Sequence, residues 1–194
     1  MKGRKVMIIC TIVIMVSVIF AGCSIFTPKE YKRGTITETG WESEYLNLRF
    51  TTPTGYIMVT AEQLDMMTGF DENTDPAQAR LVVEMLTTTT NRLPNLHVGV
   101  EKNDVKEEEY LETSKSLALN KEDMSYTFPG EVTKLKVAGK TYKQLSSEVT
   151  IGDQVILQDL LVRKVDDRMV VITITYDAQT ETEKDVLLGA FTKF

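Results

Sequence analysis

The chain has 194 residues, with 22 Lys and Arg, 28 Asp and Glu, one His and two Cys, for a net charge of −6. Residues 1–22 hold three of the bases (Lys2, Arg4 and Lys5) and no acid, so residues 23–194 carry 19 bases against 28 acids, a net of −9. That balance speaks against nucleic acid as a partner, and a single His with one Cys beyond residue 22 excludes most His/Cys metal sites and nucleophilic triads.

The first segment reads as an export signal. Lys2, Arg4 and Lys5 form a positive start, and Val6 to Ala21 follows as an apolar run broken only by Thr11 and Ser17. A basic start, a short apolar run and small residues at its end make a secretory signal. Here the small pair precedes a cysteine, in the string Phe20-Ala21-Gly22-Cys23-Ser24. That string resembles the bacterial lipoprotein signal, in which the cysteine is diacylated through its thiol and becomes the new N-terminus. The family usually has Leu where this chain has Phe20. The resemblance implies a signal peptide over residues 1–22, a lipid anchor on Cys23 and a domain on the extracytoplasmic side of the cell membrane. The alternative is a retained signal anchor, since Val6 to Thr27 is 22 residues without a charge and about 20 span a bilayer. Cys10 lies in the discarded run, so with Cys23 acylated the folded part has no thiol and no disulfide, and an apolar core must hold it together.

Residues 23–40 are polar, include Pro28, Lys29, Glu30, Lys32, Arg33 and Gly34, and are expected to be a tether. Residues 41–194 show no internal repeat and no splitting linker, and predict a single domain. Leu46, Leu48 and Phe50 alternate with Asn47, Arg49 and Thr51 as a half-buried strand. A Thr52-Pro53-Thr54-Gly55 turn leads to a second strand over Tyr56 to Thr60. A short helix is expected over Ala61 to Thr68, closed by Gly69. Asp75-Pro76 has the chemistry of a helix start, and Ala77, Leu81, Val82, Met85 and Leu86 then line one helical face, ended by Thr87 to Thr90. Leu96, Val98 and Val100 alternate as a strand with His97 on the opposite side. Glu107, Glu108 and Glu109 open a helix whose apolar face is Tyr110, Leu111, Leu117 and Ala118.

The last third predicts a meander. Leu135 and Val137 precede an Ala138-Gly139-Lys140 turn, and Leu145, Val149 and Ile151 lead to a Gly152-Asp153 hairpin. Val155 to Val165 is a long strand, Asp166-Asp167-Arg168 turns the chain, and Val170, Ile172, Ile174 and Tyr176 alternate. Thr180 and Glu183 have the spacing of a capping box before a closing helix with Val186, Leu187, Ala190, Phe191 and Phe194 on its apolar face.

This order of elements, with the segment LNLRFTTPTGY near its start and a closing Phe, resembles the PsbP-like fold over residues 45–194. The resemblance implies an α+β class: an antiparallel β-sheet, a meander in its C-terminal part, with helices packed on both faces. That fold occurs in photosystem accessory proteins, a nuclear-import factor and small bacterial lipoproteins, and it brings no functional residue with it.

Candidate chemistry is sparse, and the expectation is no catalytic residue, no cofactor and no metal. Asp71, Asn73 and Asp75 match the opening of a calcium loop, but Pro76 and Val82 stand where the loop needs Gly and Glu, so an acidic loop feeding a helix cap is the plainer reading. His97 has no second His or Cys to work with. Glu107 to Glu109 read as a solvated helix start, Asp166-Asp167 as hairpin-turn chemistry. Met58, Met66, Met67 and Met85 read as core fillers, and Trp41 and Tyr45 as packing aromatics. There is no Gly-rich phosphate loop, no G-x-S-x-G elbow and no H-E-x-x-H. The leading expectation is a non-enzymatic, lipid-anchored envelope protein that binds an envelope or membrane protein or helps assemble a complex. A small-ligand or cation-binding lipoprotein is the second reading, and a carboxylate-based or His97-based enzyme the third.

Overall fold

The nine residues Arg168–Tyr176 are buried without exception, which requires cover on both sides. A computed structural model of the chain describes residues 30–194 except 72, 73 and 123, so the expected signal peptide, Cys23 and Asn73 lie outside the described residues. In order come β1 (Thr35–Thr37), β2 (Gly40–Ser43), β3 (Leu48–Thr51), β4 (Ile57–Met58), α1 (Ala61–Thr68), β5 (Leu81–Thr88), β6 (Asn95–Lys102) and α2 (Glu107–Leu119). Then follow β7 (Ser125–Thr127), β8 (Thr133–Val137), β9 (Lys140–Ile151), β10 (Gln154–Val165), β11 (Arg168–Tyr176), α3 (Glu183–Gly189) and β12 (Phe191–Thr192).

The strands make two sheets. The larger has the order β4-β5-β6-β11-β10-β9-β7, with β8 also paired to β9, and the smaller has the order β1-β2-β3-β12. Each of the large sheet's pairings is antiparallel. The class is therefore α+β and mostly antiparallel, as expected, with the C-terminal meander β9-β10-β11 at its centre.

The period of two assigns the large sheet's side chains to its faces. Val98, Val100, Leu161, Val170, Ile172 and Ile174 point to one face and join Trp41, Leu48 and Phe50 of the small sheet in the main core, where Leu187 of α3 is also buried. Met169, Val171, Val162 and Leu145 point to the other face, against Tyr110 and Leu111 of α2. Ala118, about two turns further along α2, meets Tyr126, Val149 and Ile156. Helices thus reach both faces, but the main core is roofed chiefly by a second sheet.

Local chemistry explains α1. The Thr60 hydroxyl accepts from the Gln63 backbone N–H while the Gln63 side chain accepts from the Thr60 N–H, a closed capping box, and Gly69 ends the helix in the left-handed region. In the β8–β9 hairpin Ala138 and Gly139 both have positive φ, at 48° and 75°, as a tight two-residue hairpin turn requires.

Four expectations change. The helix expected from Asp75 over Ala77 to Leu86 is instead a series of turns followed by β5, because Leu81–Thr88 is covered on both faces and pairs with β6 through a bulge between Val83 and Met85. A strand buried on both sides reads as a continuous apolar run, and Leu81, Val82, Met85 and Leu86 within it happen to fit a helical spacing. The closing helix stops at Gly189, and Phe191 leaves it to pair opposite Phe50 in the small sheet, while Phe194 is exposed. Thr180 does not cap that helix: its hydroxyl accepts from the Asp177 N–H in a preceding turn. Residues 31–37, expected within the tether, pack against the domain, with Tyr31 buried and β1 paired to β2.

Candidate functional site

The face of the large sheet beneath α2 is not filled. A cavity lies between helix and sheet, lined on the sheet side by β5, β6, β11, β10 and β9, on the helix side by Tyr110, Ser114 and Ala118, and at the edge by Tyr126 and Phe128. Its water-accessible interior is about 60 Å³, room for roughly four waters at ~15 Å³ each.

Strand geometry brings the site's polar groups together. His97, Gly99 and Glu101 alternate along β6 and all face the cavity. Thr173 stands directly opposite His97 on β11. Gln158 on β10 stands opposite Ser147 on β9 and donates to Thr175 Oγ1 at 3.2 Å. Gly99 leaves the floor between His97 and Glu101 open: a Cβ there would meet only Leu81 Cδ1 at 3.6 Å and the Val82 carbonyl at 3.8 Å.

The groups differ in how they are satisfied. Tyr110 donates to Glu101 Oε2 at 2.8 Å, Ser114 donates to the Tyr110 carbonyl at 2.7 Å, and Ser147 to the Gln158 carbonyl at 3.4 Å. Glu101 Oε1 is buried without a hydrogen bond, its nearest cation being Arg80 Nε at 3.9 Å. Burial raises the Glu101 carboxyl above its ordinary range, against the opposing pull of Tyr110 and Arg80. His97 is 8% exposed, and its ring nitrogens have no hydrogen-bond partner among the described residues; the Thr173 hydroxyl has none either. Burial alone pushes the imidazole down to about 4, so near neutral pH it is uncharged, with one donor and one acceptor nitrogen.

Chemically, this is a hydrogen-bonding site. Among the described residues no carboxylate orients His97 and no hydroxyl is hydrogen-bonded to it. Of the expected candidates among the described residues, His97 alone enters the cavity. Glu101, Tyr110, Gln158 and Thr173 were missed as site residues, although a Gln or Thr inside an otherwise apolar strand that is buried on both faces is a readable signal.

The remaining candidates lie apart from it. Asp71 Oδ1 accepts from the Thr74 hydroxyl at 2.8 Å, and Asp75 Oδ1 accepts from the Ala77 N–H at 2.9 Å, so Asp75 shapes a turn and not a helix start. Glu107 accepts from the Lys164 N–H at 3.1 Å and Glu108 pairs with Lys143, tying the start of α2 to β10 and β9. Asp166 and Asp167 form the two-residue turn between Val165 and Arg168. Trp41, Tyr45 and Met85 are buried as expected, but Met66 and Met67 are 76% and 45% exposed on α1. Among the described residues no three His, Cys, Asp or Glu side chains gather as a metal site, and no helix is long and apolar enough to cross a membrane.

A second polar cluster sits on the main-core face around a buried carboxylate. Glu84, at the β5 bulge, accepts from the Tyr31 hydroxyl, from the Gly34 N–H at 2.7 Å and from Trp41 Nε1 at 3.3 Å. Burial raises its carboxyl, and those three donors and Arg33 pull it back down. The Arg168 guanidinium lies 4.5 Å from the centre of the Tyr31 ring and donates to the carbonyls of Ala77 and Ala79.

No family model matches the chain, and no curated protein matches it in sequence. Among solved structures it is similar to cyanobacterial PsbP (CyanoP) from Synechocystis, at a TM-score of 0.47 and 14% identity, over 84% of this chain and 98% of that one. It is also similar to LpqN, involved in cell envelope biogenesis of Mycobacterium tuberculosis, at a TM-score of 0.45 and 10% identity, over 75% of this chain and 82% of that one.

Proposed function

We propose that the protein is a lipid-anchored protein of the cell envelope that works by binding, not catalysis, and that the cavity beneath α2 is its binding site. The observation that carries this reading is His97, a buried imidazole lining a cavity with no protein partner for either nitrogen. An imidazole that faces a cavity without a protein partner keeps both a donor and an acceptor free for a ligand or water there. The anchor rests on Phe20-Ala21-Gly22-Cys23-Ser24, placed ahead of a domain that begins by residue 31. Two acyl chains on one cysteine meet the requirement for stable membrane attachment.

The test of the site is a thermal-shift screen run in parallel on the wild type and Gly99→Val, whose side chain grows into the cavity floor. Compounds that stabilise the wild type and not the variant support the cavity; a screen in which the two respond alike counts against it. The anchor is tested by mass. Acylation of the wild type that disappears in Cys23→Ser supports it, and an unacylated, full-mass wild type favours the retained signal anchor.

One observation favours a second reading, docking of an envelope or membrane protein. Met66 and Met67 are exposed on α1, where adaptable thioether side chains suit a contact surface. Crosslinking that recovers one envelope protein with the wild type and loses it with Met66→Asp would favour docking over the cavity.

A further inference from the structure

The chemistry of the cavity narrows what it would take, and this step rests on the binding-site reading above. We propose that the cavity holds a small uncharged molecule, one ring in size, bearing an amide-like donor and acceptor that His97 and Thr173 read together.

Size follows from the space. An interior of about 60 Å³, at ~15 Å³ per water, holds roughly four waters, and those displace about 120 Å³ of liquid at ~30 Å³ each, the size of a single ring with one substituent. The walls suit such a body: Val171, Leu160, Leu145 and Ala118 are apolar and come from both layers.

Polarity follows from the unpaired groups. His97 and Thr173 face each other across β6 and β11 in register, so their Cβ atoms stand about 5 Å apart on the same face. An imidazole with one N–H and one lone pair, beside a hydroxyl that both donates and accepts, complements a group with one acceptor and one donor side by side. An amide is the smallest neutral group of that kind.

Charge is disfavoured by what the cavity lacks. His97 is uncharged near neutral pH, and Glu101, at the far side of the open floor, accepts from Tyr110 through one oxygen and faces Arg80 at 3.9 Å through the other. An anion would leave water with no cation among the lining residues to meet it, and a cation would have only the Glu101 oxygen that already faces Arg80; an unpaired buried charge is far costlier than an unpaired amide. Specificity in such a site comes from the unmet hydrogen bonds, because a ligand that lacks them leaves His97 as it is.

The experiment uses the full chain in detergent, labelled with nitrogen-15 only at histidine. His97 is the one histidine, so the ring signals need no assignment. The probes are benzamide, benzoate and benzamidinium, near-isosteres that are neutral, anionic and cationic near neutral pH. The expected result is a saturable shift of the ring nitrogens with benzamide, and affinity at least about tenfold weaker for both charged probes. Thr173→Val, which keeps the shape and removes the hydroxyl, should weaken benzamide by about tenfold, and Gly99→Val should abolish the shift. A melting curve for each variant shows that it is folded. Equal or tighter binding of a charged probe at His97 overturns the uncharged class while leaving the cavity as a site. No movement of the His97 signals with any probe overturns the ligand class as well, with the cavity then judged by the parallel screen. Binding that Gly99→Val leaves intact overturns both, because the probe then sits elsewhere.

Discussion

Two polar clusters, one on each face of the large sheet, are built around buried side chains and satisfy them differently. On the main-core face, a buried carboxylate receives three donors from the N-terminal segment and from β2, and a Cβ at Gly34 beside it would find no room. On the face beneath α2, a buried imidazole receives none, and a glycine leaves the floor open beside it. A polar group that is fully paired holds a fold together, whereas one left unpaired marks a place where the fold is incomplete without something else. The two glutamates make the same point: Glu84 is pinned through both oxygens, while Glu101 keeps one oxygen without a hydrogen bond.

The largest effect is expected where the pairing is most complete. Glu84→Ala strands the Tyr31 hydroxyl, the Gly34 N–H and the Trp41 indole N–H, and should cost about 4 kcal/mol in chemical denaturation. Glu84→Gln keeps the shape: its oxygen can accept from Gly34 and Trp41 while its amide donates to Tyr31, so the loss should stay near 1 kcal/mol or less. Because burial raises this carboxyl in the folded state, the folded chain holds its proton longer than the unfolded chain. That stability is fully present below the ordinary 4.5 and is lost as pH rises through the folded value. Glu84→Gln should remove that part of the pH dependence. Equal losses for Ala and Gln would mean that the hydrogen bonds matter less than the carboxylate's charge, and the contrast between the faces would weaken.

The faces also differ in how much of them can be read from residues alone. Alternation along Val170 to Tyr176 and along Leu96 to Val100 was legible, because one turn of the pleat separates the two environments. So was α1, whose stop at Gly69 is local chemistry. The β5 strand was not, because its state depends on pairing with β6 and on cover from both sides, and an apolar run carries no period of its own. Glu84 sits inside that run, so misreading the element hid the buried carboxylate. The position of His97 opposite the apolar row was readable; its meeting with Thr173 was not, since 76 positions separate them in the chain and only the β6–β11 register joins them.

The second effect tests the open face by acid. Burial holds His97 down to about 4, below its ordinary 6.5, so between those values the unfolded chain takes a proton that the folded chain refuses. Stability from this source is fully present above 6.5 and is lost as pH falls toward about 4, amounting to about 3 kcal/mol at 1.36 kcal/mol per pH unit. The sign is opposite to that of Glu84 and of Glu101, so the imidazole and the two buried carboxyls pull the acid limb of the stability curve in different directions. His97→Leu should flatten the loss between those pH values, measured by urea unfolding at several pH values, and change little near neutral pH. A variant that loses stability on acidification as steeply as the wild type would show that the imidazole reaches water freely, and the cavity face would no longer stand as the unpaired one.

The smallest and sharpest contrast adds one methyl group to each face. At Gly34 a Cβ would stand 2.6 Å from the Glu42 carbonyl and 2.8 Å from Glu84 Oε2, closer than real contacts allow, so Gly34→Ala must displace the cluster. Overpacking of that kind should cost about 2 kcal/mol. At Gly99 the same atom makes only ordinary contacts, at 3.6 and 3.8 Å, and it removes a glycine's backbone entropy from a strand interior. Gly99→Ala should therefore stabilise the free protein by roughly 0.5 kcal/mol in parallel melts. If it destabilised as much as Gly34→Ala, the space beneath α2 would already be occupied by ordered water or by closer packing, and the room assigned to a ligand would be gone. A gain at Gly99 beside a loss at Gly34 would show that the sheet floor beneath α2 has room where the Glu84 cluster has none, next to the one imidazole in the chain.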